Sequence, residues 1–171
     1  MTDALDHLRP GLALPSVSLP TTEGVEIFLA TLPGRSLVIV YPWTGRPGEP
    51  DPPNWDDIQG AHGSTPELEG FRDHAAEFAE LGVALYALSM QTADYQREMA
   101  RRLRLPFPVL SDVAQDFSRA LRLPTFATGG GAYLKRLTLL VEEGRIAHVF
   151  HPVAVPALHA EEILSWLRLR G

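Results

Sequence analysis

The pattern of apolar positions predicts strands that alternate with helices along most of the chain. Residues 36–41 form a continuous aliphatic and β-branched run, which is typical of a central strand buried on both faces. A Glu-Glu-Gly turn between two apolar runs near the carboxyl end predicts an antiparallel hairpin. The strands of this hairpin are residues 137–141 and 145–150, and the same kind of pattern predicts strands over residues 16–19, 25–29 and 83–89. Residues 16–19 and 25–29 predict an N-terminal β-hairpin.

Helical spacing of apolar residues predicts the segments between the strands. One such segment begins with Ser64, Pro66 and Glu67, which have the signature of a helix start with a capping box. The predicted helices are residues 64–81, 92–105, 114–121 and 157–169. Strands and helices in this order predict an α/β fold with a mixed central sheet. The length of 171 residues favours one domain, residues 1–171.

A long loop separates the strand 36–41 from the helix at Ser64. Its part from residue 42 to residue 55 contains five prolines and two glycines, which excludes regular structure there. Loops of this length within a compact domain are usually functional or mobile. Trp43 and Trp55 lie on this loop. They either close over a pocket or meet a partner, or they hold the loop to the core, and the sequence leaves both interpretations open.

Composition narrows the possible functions. The formal charge of −6 argues against a nucleic-acid-binding surface, and no apolar run has the length of a membrane span. The chain contains no cysteine, so disulfides and thiolate metal sites are excluded. The first residues are acidic and lack the apolar core of a secretion signal, so a cytoplasmic location is expected.

Four segments, each in the expected order and on the expected element, resemble motifs of one family. They are Val-Ile-Val-Tyr-Pro at 38–42, Gly-Ser-Thr-Pro-Glu at 63–67 with Phe-Arg-Asp at 71–73, Leu-Pro-Phe-Pro-Val-Leu-Ser-Asp at 105–112, and Arg-Leu-Thr-Leu-Leu-Val-Glu at 136–142. Together they resemble the peroxiredoxins, the family of alkyl hydroperoxide reductase and thiol-specific antioxidant. The similarity is greatest to the bacterioferritin-comigratory, or Q-type, branch.

This resemblance implies a thioredoxin-like fold, with a mixed central sheet flanked by helices and an N-terminal β-hairpin. It also implies thiol-dependent reduction of hydrogen peroxide and small alkyl hydroperoxides, without a cofactor or a metal. Thioredoxin or a small thiol would be the reductant, and the protein would be a monomer or a homodimer.

The resemblance also assigns roles to individual residues. Pro42 takes the position of the proline that shields the active-site pocket, and Ser64 takes the position of the peroxidatic cysteine. Arg136 takes the position of the arginine that lowers the pKa of that thiol and orients the peroxide. A helix N-terminus and a nearby arginine both favour a thiolate over a thiol, which agrees with these assignments.

Three departures from the family pattern affect the chemistry. Ser64 replaces the cysteine, Glu69 stands where many Q-type members carry the resolving cysteine, and Ala61 replaces a hydroxyl residue. Thr44 is a candidate substitute for that missing hydroxyl. A serine hydroxyl cannot pass through a sulfenic acid, so the chain as sequenced is expected to be inactive as a peroxidase.

The origin of Ser64 has two interpretations, an engineered Cys-to-Ser change or a natural loss. The rival function is a naturally cysteine-free thioredoxin-fold module with a binding or structural role. A serine hydrolase using Ser64 and His62 is disfavoured, because Pro66 stands where the nucleophile elbow requires glycine. His62 and His74 lack a third ligand at a recognisable spacing, so no metal site is expected from this pair.

Overall fold

A computed structural model of the protein describes residues 5–170. The strands are β1 Ser18–Pro20, β2 Glu26–Phe28, β3 Arg35–Val40, β4 Val83–Ser89, β5 Val109–Ser111, β6 Thr125–Thr128, β7 Gly131–Leu134, β8 Leu137–Glu142 and β9 Arg145–Phe150. The helices are α1 Ser64–Asp73, α2 Ala75–Glu80, α3 Ala93–Leu103, α4 Asp116–Leu121 and α5 His159–Leu169. None of the helices within residues 5–170 is long and apolar enough to cross a membrane.

A five-stranded mixed sheet forms the centre of the fold, with the strand order β5-β4-β3-β8-β9. Strand β3 is parallel to β4 and antiparallel to β8, and its Val38 lies opposite Tyr86 and Leu139. The apolar run of β3 is therefore flanked by strands on both sides and buried on both faces, as its sequence predicts. Strands β1 and β2 form the predicted N-terminal hairpin.

Alternation of side chains along β3 divides the core into two layers. Leu37 and Ile39 face the layer formed with α1, α2, α3 and α5, which buries Leu68, Phe71, Phe78, Met99, Ile163 and Leu164. Val38 and Val40 face the other layer, which buries Leu19, Leu29, Phe117 and Leu121. Leu68 and Phe71 thus hold α1 against one face of the sheet, and this packing positions the residue that starts the helix.

Two local predictions differ from the structure. The helix predicted over residues 64–81 breaks at His74, whose φ of −106° and ψ of 10° separate α1 from α2. The apolar spacing continues across this break because Phe71 and Phe78 both pack into the same core layer. The second difference is an unpredicted hairpin of β6 and β7, in which the glycines at 129 and 130 form the turn.

Aromatic packing holds the long loop before α1 to this hairpin. Trp55 is buried, and its ring lies 5.1 Å from Tyr133 and 5.6 Å from Phe126 between centroids. The Thr128 hydroxyl donates a hydrogen bond of 2.6 Å to the carbonyl of Pro53. Trp55 therefore holds the loop to the β6–β7 hairpin, and because it also lines a cavity, both interpretations of Trp55 fit the structure.

Candidate functional site

Helix α1 begins at Ser64, and the residue before it determines how the chain enters the helix. Gly63 has a φ of 110°, and a Cβ atom there would lie 2.7 Å from Cγ of Pro156. Only glycine adopts this left-handed conformation readily while leaving Pro156 in place. The capping box predicted for Ser64 and Glu67 is wrong, because Gly63 is the N-cap and no side chain caps the helix.

The hydroxyl of Ser64 lacks a hydrogen-bond partner among the described residues, although the side chain is only 3% exposed. It lines a cavity of about 330 Å³. The residues that line this cavity are Trp43, Thr44, Gly45, Arg46, Pro47, Asp51, Trp55, Ala61, His62, Gly63, Ser64, Thr65, Pro66 and Arg102. Leaving a buried hydroxyl unpaired costs about 1–3 kcal/mol, so the geometry indicates a position for a small polar ligand.

The start of α1 supplies positive potential to this cavity. The first hydrogen bond within the helix runs from the N–H of Glu67 to the carbonyl of Gly63, at 3.0 Å. The N–H groups of Ser64 and Thr65 precede this bond, and Pro66 has no N–H to donate. Unpaired N–H groups and the helix dipole favour negative charge at this position. Ser64 and Thr65 both line the cavity, so an anion bound there would lie next to the helix N-terminus.

Arg136 lies against the same turn, immediately before β8. Its Nη1 donates to the carboxylate of Glu67 at 2.7 Å, and both side chains are buried. Its Nη2 donates to the carbonyls of Gly60, Ala61 and His62 at 3.1–3.2 Å. Because the Ser64 hydroxyl is unpaired, Arg136 does not donate to it. Arg136 thus connects the start of β8 to α1 and to the last residues of the loop.

Of the predicted site residues, Thr44 lines the cavity together with Ser64, whereas Pro42 and Glu69 do not. The Thr44 hydroxyl is occupied by a hydrogen bond of 3.2 Å to Oε1 of Gln91, and its carbonyl accepts from the hydroxyl of Tyr95. Pro42 is buried one residue after Tyr41 and does not contribute to the lining. Glu69 is half-buried on α1, is also absent from the lining, and lies 3.8 Å from Arg72.

The two histidines considered as a metal pair have separate partners. His62 Nε2 lies 2.5 Å from Oδ1 of Asp56, within the long loop. His74 Nδ1 lies 2.6 Å from Oε1 of Glu77, and its other nitrogen is 3.5 Å from Glu161. Sequence reasoning assigned Glu67 only a capping role and did not select Asp51, Asp56, Gln91 or His159. No local motif identifies these four residues, because each acquires its neighbours from the tertiary fold.

Two buried titratable groups on either side of Arg136 have displaced pKa values. Burial raises the pKa of Glu67 from 4.5 to about 7, although Arg136 opposes this shift. Burial, and secondly the charge of Arg136, lowers the pKa of His159 from 6.5 to about 4. The Nε2 atom of His159 is 2.8 Å from the hydroxyl of Thr138, so the neutral ring has a hydrogen-bond partner.

These two shifts predict opposite effects of pH on stability. The stabilisation linked to Glu67 is complete below pH 4.5 and is lost as the pH rises through 7. The stabilisation linked to His159 is complete above pH 6.5 and is lost as the pH falls through 4. The contribution of each residue to the free energy of unfolding is about 3 kcal/mol at most.

We therefore expect Glu67→Gln to cost more stability at pH 4.5 than at pH 7.5. We expect His159→Gln to cost more stability at pH 7 than at pH 4.

Urea unfolding of both variants and the parent at each pH measures these differences. Subtracting the parent removes the contribution of every other titrating group, provided that the remaining pKa values are unchanged. A pH-independent cost for either variant would contradict the shift assigned to that residue.

Comparisons with known proteins show the family to which this chain belongs. The Redoxin family model matches residues 9–164. Peroxiredoxin Bcp of Escherichia coli strain K12 is 26% identical to this chain, and the match covers 96% of this chain and 98% of that protein. The crystal structure of peroxidoxin BcpB from Mycobacterium tuberculosis has a TM-score of 0.76 at 24% identity, covering 95% of this chain and 98% of that chain.

A cysteine-to-serine mutant of PrxQ from Xylella fastidiosa is also similar in structure. It has a TM-score of 0.77 at 19% identity and covers 96% of this chain and 98% of that chain. The predicted thioredoxin-like fold of the peroxiredoxins, with its mixed sheet and flanking helices, is thereby confirmed. The chain belongs to the Redoxin family, in which its relatives are peroxiredoxins of the bacterioferritin-comigratory and Q types.

Proposed function

We propose that this chain carries the site of a thiol-dependent peroxidase in which Ser64 occupies the position of the peroxidatic cysteine. The observation that carries this proposal is the buried, unpaired hydroxyl of Ser64, which lies at the start of α1 and on the lining of a formed cavity. The parent reaction, with cysteine at residue 64, is the reduction of hydrogen peroxide and small alkyl hydroperoxides. Thioredoxin or a small thiol supplies the electrons.

The reaction explains why the cavity has this form. A thiolate at residue 64 attacks one peroxide oxygen and forms an S–O bond as the O–O bond breaks. The leaving oxygen takes up a proton from solvent and departs as water or an alcohol, and the sulfur becomes a sulfenic acid. Two reducing equivalents from external thiol then restore the thiol and release water. The helix N-terminus stabilises the thiolate and the negative charge that develops on the leaving oxygen.

Arg136 has a supporting place in this proposal. Its Nε atom is buried and lacks a hydrogen-bond partner among the described residues, as does the hydroxyl of Ser64. Ser64 begins the first turn of α1, and Arg136 contacts that turn through its bonds to Glu67 and to the carbonyl of His62. The free N–H of Arg136 suits the role that the family resemblance assigns to it. Thr44 shares the cavity lining with Ser64, whereas the proposed role of Pro42 rests on the family resemblance.

Serine at residue 64 removes this chemistry. An oxygen nucleophile requires a base, and the Ser64 hydroxyl has no partner among the described residues. His62 is paired with Asp56, but neither of its ring nitrogens bonds to the Ser64 hydroxyl, and this missing Ser-His contact argues against a Ser-His hydrolase. The alternative function is a cysteine-free binding module, and the same unpaired hydroxyl in a formed cavity supports it.

We expect the chain as sequenced to consume hydrogen peroxide no faster than an unfolded sample of the same chain. The chain has no cysteine at all, so no other residue can supply the thiol cycle. The measurement is peroxide loss with dithiothreitol present, corrected for the direct reaction of peroxide with dithiothreitol. Turnover that rises with the concentration of folded protein would overturn the proposed inactivity.

A further inference from the structure

Three side chains of metal-ligating types meet on the long loop before α1. One carboxylate oxygen each from Asp51 and Asp56 and one imidazole nitrogen of His62 lie within 4.8 Å of one another. All three side chains are exposed, so a cation reaches them directly from solvent. The ligand atoms are close enough that rotation of these exposed side chains can bring all three to about 2.1 Å from one cation, in place of the hydrogen bond between His62 and Asp56.

The backbone that carries these ligands is held from both sides. Trp55 is buried next to Asp56, and the Pro53 carbonyl accepts a hydrogen bond from the Thr128 hydroxyl. On the other side, Arg136 donates to the carbonyl of His62. Because the loop is already fixed at these points, a cation does not have to order it, and preorganisation of this kind favours binding.

A second observation points to a ligand beside these residues. Asp51 and His62 line the same cavity as Ser64, whose buried hydroxyl has no partner among residues 5–170. Three protein ligands leave at least one coordination position of a zinc-like cation open. A water or a small carboxylate in the cavity can fill such a position, and it can also reach the polar lining.

The donor set selects the class of cation. Magnesium and calcium take oxygen ligands, whereas an imidazole with carboxylates suits zinc, manganese, iron or nickel. We propose that Asp51, Asp56 and His62 bind one divalent transition-metal cation, with zinc as the type case, at the rim of the Ser64 cavity. The three proposed ligands differ from the residues assigned to the thiol reaction, so zinc binding can be tested separately from peroxidase activity.

The test is calorimetric titration of the untagged, full-length chain with Zn²⁺. We expect one equivalent to bind, and we expect His62→Gln and Asp56→Asn each to weaken the affinity at least tenfold. Asp57→Asn is the matched control, since Asp57 is the adjacent exposed carboxylate outside the cluster. Its affinity should equal that of the parent. The absence of cysteine makes the result simple to interpret, because no thiolate competes for zinc.

A second control separates this site from the other histidine-carboxylate group. His74 lies near Glu77 and Glu161, so His74→Gln removes zinc bound adventitiously there. Absorption spectra with Co²⁺ in place of zinc provide an independent readout, and His62→Gln should change the visible bands. Failure to bind one equivalent, an unchanged affinity in His62→Gln, or a loss caused only by His74→Gln would each overturn the proposal. Circular dichroism confirms that every variant is folded.

Discussion

Ser64→Cys is expected to convert the chain from an inert protein into a peroxidase whose rate rises with protein concentration. The new thiol would lie at the start of α1, where Ser64 and Thr65 precede the first helical hydrogen bond. Helix N-termini lower a thiol pKa from about 8.5 into a range of roughly 3.5–7.5. We therefore expect the new thiol at residue 64 to be mostly ionised at neutral pH and the peroxide reaction to be fast.

The same variant should depend completely on an external reductant. The family resemblance assigns Glu69 to the position of the resolving cysteine, and the variant would contain one cysteine in total. Its sulfenic acid has no thiol partner on the same chain, so turnover should require dithiothreitol or a reductant protein. With excess peroxide and no thiol, intact mass spectrometry should show addition of two and then three oxygen atoms.

Ser18→Cys is the matched control for an unactivated thiol. Ser18 is exposed on β1, and its hydroxyl bonds to the carboxylate of Glu26. A thiol there is near a negative charge and far in sequence from α1, so its peroxide reaction should be slow. If folded Ser64→Cys reacts no faster than Ser18→Cys, the site has lost more than its nucleophile. The cysteine-free binding module is then better supported than the peroxidase as the function of this chain.

The sheet was predictable because its strands have strong local patterns. The run that became β3 is apolar at every position from Leu37 to Val40, and the Glu-Glu-Gly turn specifies the pairing of β8 with β9. The β6–β7 hairpin lacked such a signal, since its strands have four residues each and alternate only weakly in burial. Its two aromatic rings, Phe126 and Tyr133, pack against Trp55 of the long loop, a contact that no local pattern indicates.

The candidate site was predictable only in part, for a related reason. Family motifs selected Ser64 and Arg136 as candidates, whereas local rules predicted the wrong contact for Glu67. A capping box is a contact over three residues, whereas the actual contact of Glu67 is with Arg136, 69 residues away. The convergence of Asp51, Asp56 and His62 likewise depends on how the loop is held. Neither contact is encoded in the spacing of the residues along the chain.

Arg136→Ala is expected to be among the most destabilising single substitutions in the site. It would leave Glu67 without its buried partner, and three carbonyls of the loop would lose their donor. Breaking a buried ion pair in this way costs about 3–5 kcal/mol. Urea unfolding at pH 8 measures the loss. Arg97→Ala is the control, because its pair with Asp94 is on the surface and should contribute about 1 kcal/mol or less.

The pH dependence of this loss identifies its cause. Because burial raises the pKa of Glu67 to about 7, a larger fraction of Glu67 is protonated in the folded parent at pH 5.5 than at pH 8. A protonated carboxyl needs the arginine less, so the cost of Arg136→Ala should be smaller at pH 5.5 than at pH 8. The double variant Arg136→Met, Glu67→Leu should recover much of the stability, since apolar replacement removes both buried charges.

The same pair of variants separates the structural role of Arg136 from its role in the reaction. In the Ser64→Cys background, the double variant should be folded and stable, yet it lacks the guanidinium that the peroxidase proposal assigns to the thiol. We expect its reaction with peroxide to be slower than that of Ser64→Cys alone, with a higher thiol pKa. An equal rate and an equal thiol pKa would show that Arg136 serves only to hold β8, α1 and the loop together.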